Sequence, residues 1–478
     1  MDRELEKRLS VNDFEISNEE YMIKIAFYLE ISKKTLRAFN ATEDILEVQK
    51  QYEMNGGAVK NAQLVIEPKD TYYHHYLSYK DRKFKYEDLI KSLYNIEKKN
   101  PVLKNMFKDI KGSDMARRVA DLTFAMMYLK KEPSFEELLD WIARSSGSRS
   151  EFSFTPLSIN KLMVKIVGSF KENITVYDPA VGTANLLLNV DSENFEKNKY
   201  YGQDINKFVL EIAKMNAILQ DINSKNIELR LGDSLNSNWN FGKADVVVAD
   251  MPLAMSWRPS KDLEQDNRYK NYGKLPNKNE WPFILEGLDK LSNDGTMIAL
   301  SAQGILFRAA KEYKVRRKLL EDGMIKAVIL LPEKLYYGTS VATCLLVLKK
   351  SSKDRDVFFI NASKEYQKVK SSNTLTDDNI GKIVDAFNNQ KEVKNFSRKV
   401  SFEEIQKNDF NLTMARYINQ YQFQEKLDQQ KEFENLKKMD NKIGNVDEKL
   451  NKIMKELITD DKLKKVEKLI KWKPIFEY

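Results

Sequence analysis

The chain has 478 residues and a formal net charge of +8, which is the small difference between 79 Lys and Arg and 71 Asp and Glu. One cysteine, Cys344, excludes an intramolecular disulfide framework, and with only two histidines besides it the sequence predicts no metal site. The charged first residues and the absence of a long apolar run argue against a signal peptide and a membrane span, so we expect a cytoplasmic protein.

Three regions follow one another along the chain. Residues 1–148 repeat apolar residues at three- and four-residue spacing, which predicts a helical amino-terminal domain. Over residues 149–370, short β-branched runs alternate with helical segments, which predicts an α/β domain with a doubly wound, mostly parallel sheet. The predicted strands are Ile174–Asp178, Lys199–Asp204, Ile227–Gly232, Ala244–Asp250, Gly295–Ser301, Ile325–Leu331 and Thr343–Lys349. The last two are joined by a connection too short for a helical crossover, so we expect them to form an antiparallel pair.

Residues 371–478 predict a helical carboxyl-terminal region. From Leu436 to Leu457 apolar residues alternate steps of three and four, as the a and d positions of a coiled coil do. Lysines and acids nearly balance in this tail, so it is not a polybasic nucleic-acid arm. Two interpretations stay open: the helix packs on its own protein, or it makes a coiled-coil contact with a partner.

A candidate nucleotide site begins where the first predicted strand ends at Asp178. Gly182 allows a tight turn, and the apolar run after it starts a helix, so this edge of the sheet has the plan of a nucleotide-binding crevice. Asp204 closes the next strand, at a distance along the chain where an acid can hold a ribose hydroxyl. Asp233 follows the third strand and is placed to accept a hydrogen bond from an adenine amino group.

The ligand of this crevice follows from the residue at the strand end. Dinucleotide enzymes seat a pyrophosphate on G-x-G-x-x-G, but here the second glycine is absent and an acid, Asp178, closes the strand. That acid repels pyrophosphate and suits an amino group, which favours S-adenosyl-L-methionine over NAD. Any one of these three acids could be an ordinary residue at the end of a strand that binds no ligand. Acids at the ends of three successive strands favour a cofactor site instead.

From about residue 152 to about 417, the chain resembles the modification (M) subunits of type I restriction–modification systems, which are adenine-N6 DNA methyltransferases. The resemblance rests on Phe154-Thr155-Pro156, DPAVGTANLL, YGQDIN, LRLGDSL, the segment from GILFRAAKEY to CLLVLKK, and FNLTMARYI. It implies a class I S-adenosylmethionine-dependent, Rossmann-like fold and metal-free chemistry. It also implies that Thr155, Pro156, Ala180 and Thr183 join the three acids and Gly182 in binding the cofactor.

The catalytic tetrapeptide departs from the family pattern. The family has Asn-Pro-Pro-Phe, or Asp-Pro-Pro-Tyr in relatives, where this chain has Asp250-Met251-Pro252-Leu253. The target adenine must leave the duplex, and its N6 amine then needs two acceptors, for which Asp250 and the Met251 carbonyl are the candidates. Leu253 cannot stack on the base, a loss of roughly 1–3 kcal/mol; Trp257 is a candidate for the missing aromatic face.

The altered tetrapeptide leaves a second hypothesis open, that of a methyltransferase-like scaffold or regulator that binds DNA or a partner. A third hypothesis has RNA or protein as the methyl acceptor.

Basic residues between aromatic ones follow the tetrapeptide, in the segment 256–280, and suit phosphate contact and base stacking. The predicted DNA contacts are Trp257, Arg258, Lys261, Arg268, Lys270 and Lys274, together with Arg316 and Arg317 on a later helix. A solvated loop and a solvent-facing helix are the alternatives. The resemblance implies DNA and a specificity (S) subunit as partners and leaves a second M subunit and a restriction subunit open.

Overall fold

The computed structural model describes residues 85–108, 154–170, 173–191, 197–336, 339–350, 353–369, 372–418 and 429–457, with single helical positions within 23–32 and 135–140. The chain divides into two compact units, Met1–Ile418 and Asn419–Tyr478. Most of the predicted amino-terminal domain lies outside the described residues, and the described parts of it are mainly helical. No helix in the ranges given above is both long and apolar enough to cross a membrane.

The main element of the first unit is one sheet, to which nine of the described strands belong. The strands are β1 Thr175–Asp178, β2 Lys199–Asp204, β3 Ile227–Leu231, β4 Ala244–Asp250, β5 Leu291–Ala302, β6 Ile325–Leu330, β7 Thr343–Lys349, β8 Val357–Asn361, β9 Gln367–Val369, β10 Ser372–Thr374 and β11 Ser397–Val400. The helices are α1 Tyr86–Lys99, α2 Leu157–Val167, α3 Asn185–Asn189, α4 Lys207–Leu219, α5 Glu280–Lys290, α6 Lys311–Glu321, α7 Asp377–Asn388, α8 Phe402–Lys407 and α9 Gln429–Leu457. Strands β9 and β10 form a separate antiparallel ribbon.

The strand order in the sheet is β11-β8-β6-β7-β5-β4-β1-β2-β3. Strands β1 to β5 pair in parallel, as helical crossovers require. Strand β7 runs antiparallel to both of its neighbours, β5 and β6. The short connection between β6 and β7 explains this reversal, as the sequence predicted. The predicted doubly wound, mostly parallel sheet is confirmed.

Both faces of the sheet are covered, because successive side chains of a strand point to opposite sides. In β4, Val247 and Ala249 belong to one hydrophobic cluster, and Val246 and Val248 belong to the other. Residues of α5 and α6 fill the first cluster, and residues of α2, α3, α4 and α7 fill the second. The resulting three-layer packing explains why the central strands are apolar along their whole length.

The expectation of helices alone after residue 370 was wrong, because β11 adds an edge strand to the main sheet beyond that point. Its sequence, Ser397–Val400, buries only the first and last residues and carries two exposed basic residues between them, so it lacks the alternation that predicts a strand. Strand β8 was also not predicted. The division of the chain at 148 and 370 remains a prediction.

The second unit contains α9, a single helix of 29 residues. It contains the predicted heptad positions, and the side chains at five of them, from Leu436 to Leu450, are 55% to 65% exposed. Gly444 does not interrupt the helix. An apolar stripe along an otherwise charged helix is typical of a coiled-coil surface.

Candidate functional site

The candidate site lies where the order of the strands reverses. Strand β1 has β2 on one side and β4 on the other, so the chain leaves β1 in one direction and returns on its opposite side. In doubly wound sheets, ligands bind outside the carboxyl ends of the strands at this switch point. Asp178, Asp204 and Asp250 close β1, β2 and β4, so the three acids meet at this edge.

Asp178 is buried at the start of the cofactor turn, with 2% of its surface exposed. One of its oxygens accepts a hydrogen bond from the backbone N–H of Ala180 at 2.9 Å. Burial raises the pKa of Asp178 well above its usual value, and the charges of Asp250 and Asp204 raise it further. This edge of the sheet therefore favours a cation that neutralises the clustered carboxylates.

The turn is tied to the second strand through Asp204. The carboxylate of Asp204 accepts from the backbone N–H of Gly182 at 2.9 Å and from that of Asn206 at 2.8 Å. Burial raises the pKa of Asp204, and these hydrogen bonds lower it. Gly182 has φ +54°, a conformation that glycine adopts without strain. Gly202 is required for a different reason: a Cβ there would lie 2.6 Å from a methyl carbon of Val181 in the turn.

The remaining predicted cofactor residues surround this turn. The carbonyl of Thr183 accepts from the Asn216 side chain of α4 at 3.2 Å. Ala184, which stands where the family has glycine, is in the left-handed region with φ +61°, so a strained alanine precedes α3. Asp233 is partly exposed after β3 and accepts from the backbone N–H of Leu235 at 2.9 Å.

Asp250 is held by two hydroxyl groups. Thr155 Oγ1 donates to one carboxylate oxygen at 2.5 Å, and the Tyr336 hydroxyl donates to the other at 2.5 Å. Burial raises the pKa of Asp250, and the two hydrogen bonds lower it. The predicted cofactor residue Thr155 therefore contacts the tetrapeptide directly, while Pro156 is buried beside it at the start of α2.

The rest of the tetrapeptide forms a turn fixed from α5 and from the segment before it. Met251 is buried, Pro252 is exposed, and Leu253 packs against the second hydrophobic cluster. The Asn279 side chain donates to the Pro252 carbonyl at 2.9 Å, and Lys278 Nζ donates to that of Ala254 at 2.7 Å. These bonds fix two backbone carbonyls of the turn on the carboxyl-terminal side of Met251.

The segment after the tetrapeptide is a loop closed at its base. Ser256 and Lys278 form an antiparallel bridge, and the Trp257 N–H donates to the Asn277 carbonyl at 2.8 Å. The side chains of four predicted DNA contacts in it are exposed, namely Arg258, Lys261, Lys270 and Lys274. Trp257 is instead 9% exposed within the first hydrophobic cluster, so the prediction that it offers an aromatic face to a base is corrected.

Arg268 is also inside the protein, with its side chain 1% exposed. Its guanidinium donates to Glu286 at 2.7 Å and to Asp266 at 2.8 Å and 3.0 Å. Three further bonds reach the carbonyls of Ser234, Leu235 and Ser237, at 2.9 Å, 3.3 Å and 3.3 Å. Because its donors are committed to internal acceptors, Arg268 is a structural residue and the prediction of a DNA contact is corrected.

Of the two arginines on α6, one is buried and one is exposed. Arg316 is 2% exposed and donates to the carbonyls of Ile305, Arg308 and Phe410. The predicted phosphate contact at Arg316 is therefore also corrected. Arg317 is half-exposed, pairs with Glu321 at 2.8 Å and lies over the ring of Phe410, so its predicted role stays a prediction.

Sequence reasoning missed Tyr336 and Asn279, which both contact the tetrapeptide region. Tyr336 lies in the connection after β6, a strand parallel to β5 and therefore ending at the same edge of the sheet. That position after a parallel strand is the signal that could have indicated it. Asn279 lies at the end of the segment 256–280, and the residues around it carry no comparable signal.

A doubly wound, mostly parallel sheet with acids at three strand ends around the switch point defines the fold of a class I S-adenosylmethionine-dependent methyltransferase. The chain belongs to the N-6 DNA Methylase family, whose profile matches residues 133–426.

Individual relatives agree with this family. The type I restriction enzyme MpnII methylase subunit of Mycoplasma pneumoniae is 36% identical over 314 residues, which are 62% of this chain and 58% of that protein. The type I restriction enzyme MjaVIII methylase subunit of Methanocaldococcus jannaschii is 34% identical over 333 residues, which are 64% of this chain and 56% of that protein. The chain thus spans little more than half the length of these relatives.

Among solved structures, the type I restriction-modification system methyltransferase subunit from Streptococcus thermophilus is similar to this chain. The TM-score is 0.79 at 28% identity, and the match covers 88% of this chain and 99% of that one. The similarity therefore extends well beyond the central sheet.

Proposed function

We propose that this chain is the modification subunit of a type I-like restriction–modification system and transfers a methyl group from S-adenosyl-L-methionine to N6 of adenine in DNA. The observation that carries the proposal is the meeting of Asp178, Asp204 and Asp250 at one sheet edge in a member of the N-6 DNA methylase family.

The residues around the turn suit the methyl donor. When bound, S-adenosyl-L-methionine supplies an electrophilic methyl group on a positively charged sulfur. Asp178 is proposed to bind the donor's amino group, because a buried carboxylate without a cation is unfavourable. Asp204 is proposed to accept from the ribose hydroxyls, and Asp233 from the adenine amino group. Thr155, Pro156, Ala180, Gly182 and Thr183 complete the proposed donor site.

The tetrapeptide is proposed to orient the target amine. An oxygen of Asp250 and the Met251 carbonyl would accept its two N–H groups and so hold the amine for methyl transfer. Pro252 shapes the turn, and Leu253 borders the base without stacking on it. Neither a metal nor a covalent enzyme intermediate is needed for this transfer.

Donor affinity is expected to rise with pH. Asp178 has a raised pKa and is mostly protonated and neutral below that pKa, and an ammonium group binds better to the charged form. Calorimetric titration over the pH range in which the chain stays folded checks this, and Asp178→Asn should weaken binding and flatten the pH dependence. A flat profile in the wild-type chain contradicts it.

The raised pKa of Asp178 also predicts that the ligand-free protein loses stability as pH rises, since the native state holds more protons than the unfolded chain.

The exposed basic loop is the proposed DNA surface, with Arg258, Lys261, Lys270 and Lys274 as phosphate contacts and Arg317 beside them on α6. Lys270→Ala is expected to weaken binding to all DNA sequences alike and to lower the slope of log K against log salt by about one. Fluorescence anisotropy at several salt concentrations measures this. Lys225→Ala, an exposed lysine at the opposite edge of the sheet, is the control. Equal salt slopes in the two variants count against this surface.

The apolar stripe of α9 is the proposed contact with the specificity subunit that the family resemblance implies. A second modification subunit and a restriction subunit are further proposed partners. Cytoplasmic location is part of the same proposal.

The test is methylation of DNA by this chain with its specificity subunit, together with calorimetry of donor binding. Methyl transfer to adenine N6 is expected. Donor binding without methylation of any DNA would reject the proposed activity.

A methyltransferase-like scaffold is the second candidate, and the observation that favours it is Leu253 in place of an aromatic residue. It predicts that DNA or partner binding persists without methyl transfer. The same two measurements separate it from the enzyme.

A further inference from the structure

Three segments distant in the chain meet at the Asp250 carboxylate. Thr155 precedes α2, Asp250 ends β4, and Tyr336 follows β6. The two hydroxyls donate to different oxygens, each at 2.5 Å. The residue that is to hold the target amine is therefore fixed from both sides by hydroxyl groups of the protein itself.

The number of acceptor positions is what matters for the amine. Each carboxylate oxygen has two lone-pair positions, so one hydroxyl donor at each oxygen leaves the other position open. An amine N–H needs such an acceptor. A protonated carboxyl group spends one oxygen on an O–H donor and leaves fewer acceptor positions, whereas the ionised form presents acceptors only. The ionised form is therefore the better acceptor for the amine.

We propose that Thr155 and Tyr336 are positioning residues that fix the orientation of the Asp250 carboxylate and keep it an acceptor for the target amine. This inference rests on the proposed function, because it takes Asp250 as the residue that binds the amine. It adds a role to Thr155 beyond the donor site and assigns one to Tyr336.

The two hydrogen bonds affect the ionisation of Asp250 because this carboxyl group is buried. Burial raises the pKa of Asp250, and the hydroxyl bonds from Thr155 and Tyr336 oppose that rise. Within the described ranges, Asp178 and Tyr336 are the titratable groups that interact with Asp250. The pKa of Tyr336 is raised well above its usual value by burial and by the Asp250 charge, so Tyr336 stays a neutral donor.

The experiment measures the ionisation of Asp250 directly, by carbon-13 NMR titration of labelled aspartate carboxyls, with Asp250→Asn to assign the signal. Tyr336→Phe and Thr155→Val each remove one hydroxyl group. Each is expected to raise the pKa of Asp250 by about one pH unit. Thr155→Ser keeps a hydroxyl and should retain the wild-type value. Tyr366→Phe, which removes an exposed tyrosine hydroxyl elsewhere, is the matched control.

The methylation rate supplies a second reading. In Tyr336→Phe and Thr155→Val the acidic limb of the pH–rate profile should move to higher pH, because the pKa of Asp250 is raised. At a given pH on that limb the methylation rate should fall about tenfold, and it should recover at higher pH. A purely structural role would lower the rate equally at every pH. In the Asp250→Asn background, Tyr336→Phe should no longer move the profile, because position 250 cannot titrate.

An unchanged pKa of Asp250 in both hydroxyl-deleted variants overturns the inference, as does a loss of rate that is independent of pH. Should one variant fail to fold, the other decides. If the wild-type chain methylates no DNA, the proposed function fails, and the NMR titration alone supports or overturns the effect of the two hydroxyls on Asp250.

Discussion

Asp250→Ala is expected to reduce DNA methylation by a factor on the order of 10²–10³, the effect typical of removing one fixed group that stabilises a transition state. The side-chain acceptor for the amine is lost, and the hydroxyls of Thr155 and Tyr336 lose their common acceptor. The rate with saturating donor and DNA is the measurement, since the loss should fall on the chemical step.

Asp294→Ala is the matched control, because Asp294 is an exposed acid near the start of β5, whereas Asp250 pairs with Leu300 near the end of that strand. It should methylate DNA at the wild-type rate. Thermal unfolding of both variants shows whether the Asp250 variant remains folded. Wild-type methylation by a folded Asp250→Ala chain would remove Asp250 from the mechanism.

Arg268→Met is expected to lower the free energy of unfolding by about 3–5 kcal/mol, because breaking a buried ion pair leaves an uncompensated charge. Glu286 is the residue left unpaired, with its side chain 1% exposed, and Asp266 loses the hydrogen bonds that hold its pKa below the usual value. The carbonyls between Ser234 and Ser237 also lose their donor, so the segment after β3 that carries Asp233 should loosen.

Urea unfolding of Arg268→Met measures this loss, and Lys270→Met, an exposed lysine two residues away, should change stability by no more than about 0.5 kcal/mol. Adding Glu286→Gln to Arg268→Met should recover part of the loss, since no buried charge is then left unpaired. If Arg268→Met were as stable as Lys270→Met, the buried network would not hold this loop.

The two positions in the loop show where sequence reasoning stops. Arg268 and Lys270 both appear in the sequence as basic residues between aromatic ones, yet the first is buried on Glu286 and the second is exposed. The acids that pair with Arg268 lie 2 and 18 residues away along the chain. Nothing local in the sequence distinguishes a cation bound to an interior carboxylate from one that faces a phosphate.

The arrangement of the candidate site was predictable only in part. The acids at the ends of β1, β2 and β4 followed from local pattern, because apolar β-branched runs locate parallel strands and their carboxyl ends share one edge. The hydroxyl contacts did not follow, because Thr155 and Tyr336 are 95 and 86 residues from Asp250. Contacts of that separation depend on how the whole sheet is assembled.

The sequence by itself determined the doubly wound sheet, the reversal at β7, the edge at which the three acids lie and the heptad helix, because each depends on hydrophobic period, strand length or connection length within a short window. Only the tertiary structure decided that Trp257, Arg268 and Arg316 are interior residues and that two hydroxyls meet on Asp250. Burial and hydrogen bonding are set by the elements that pack around a side chain, and those elements come from distant parts of the chain.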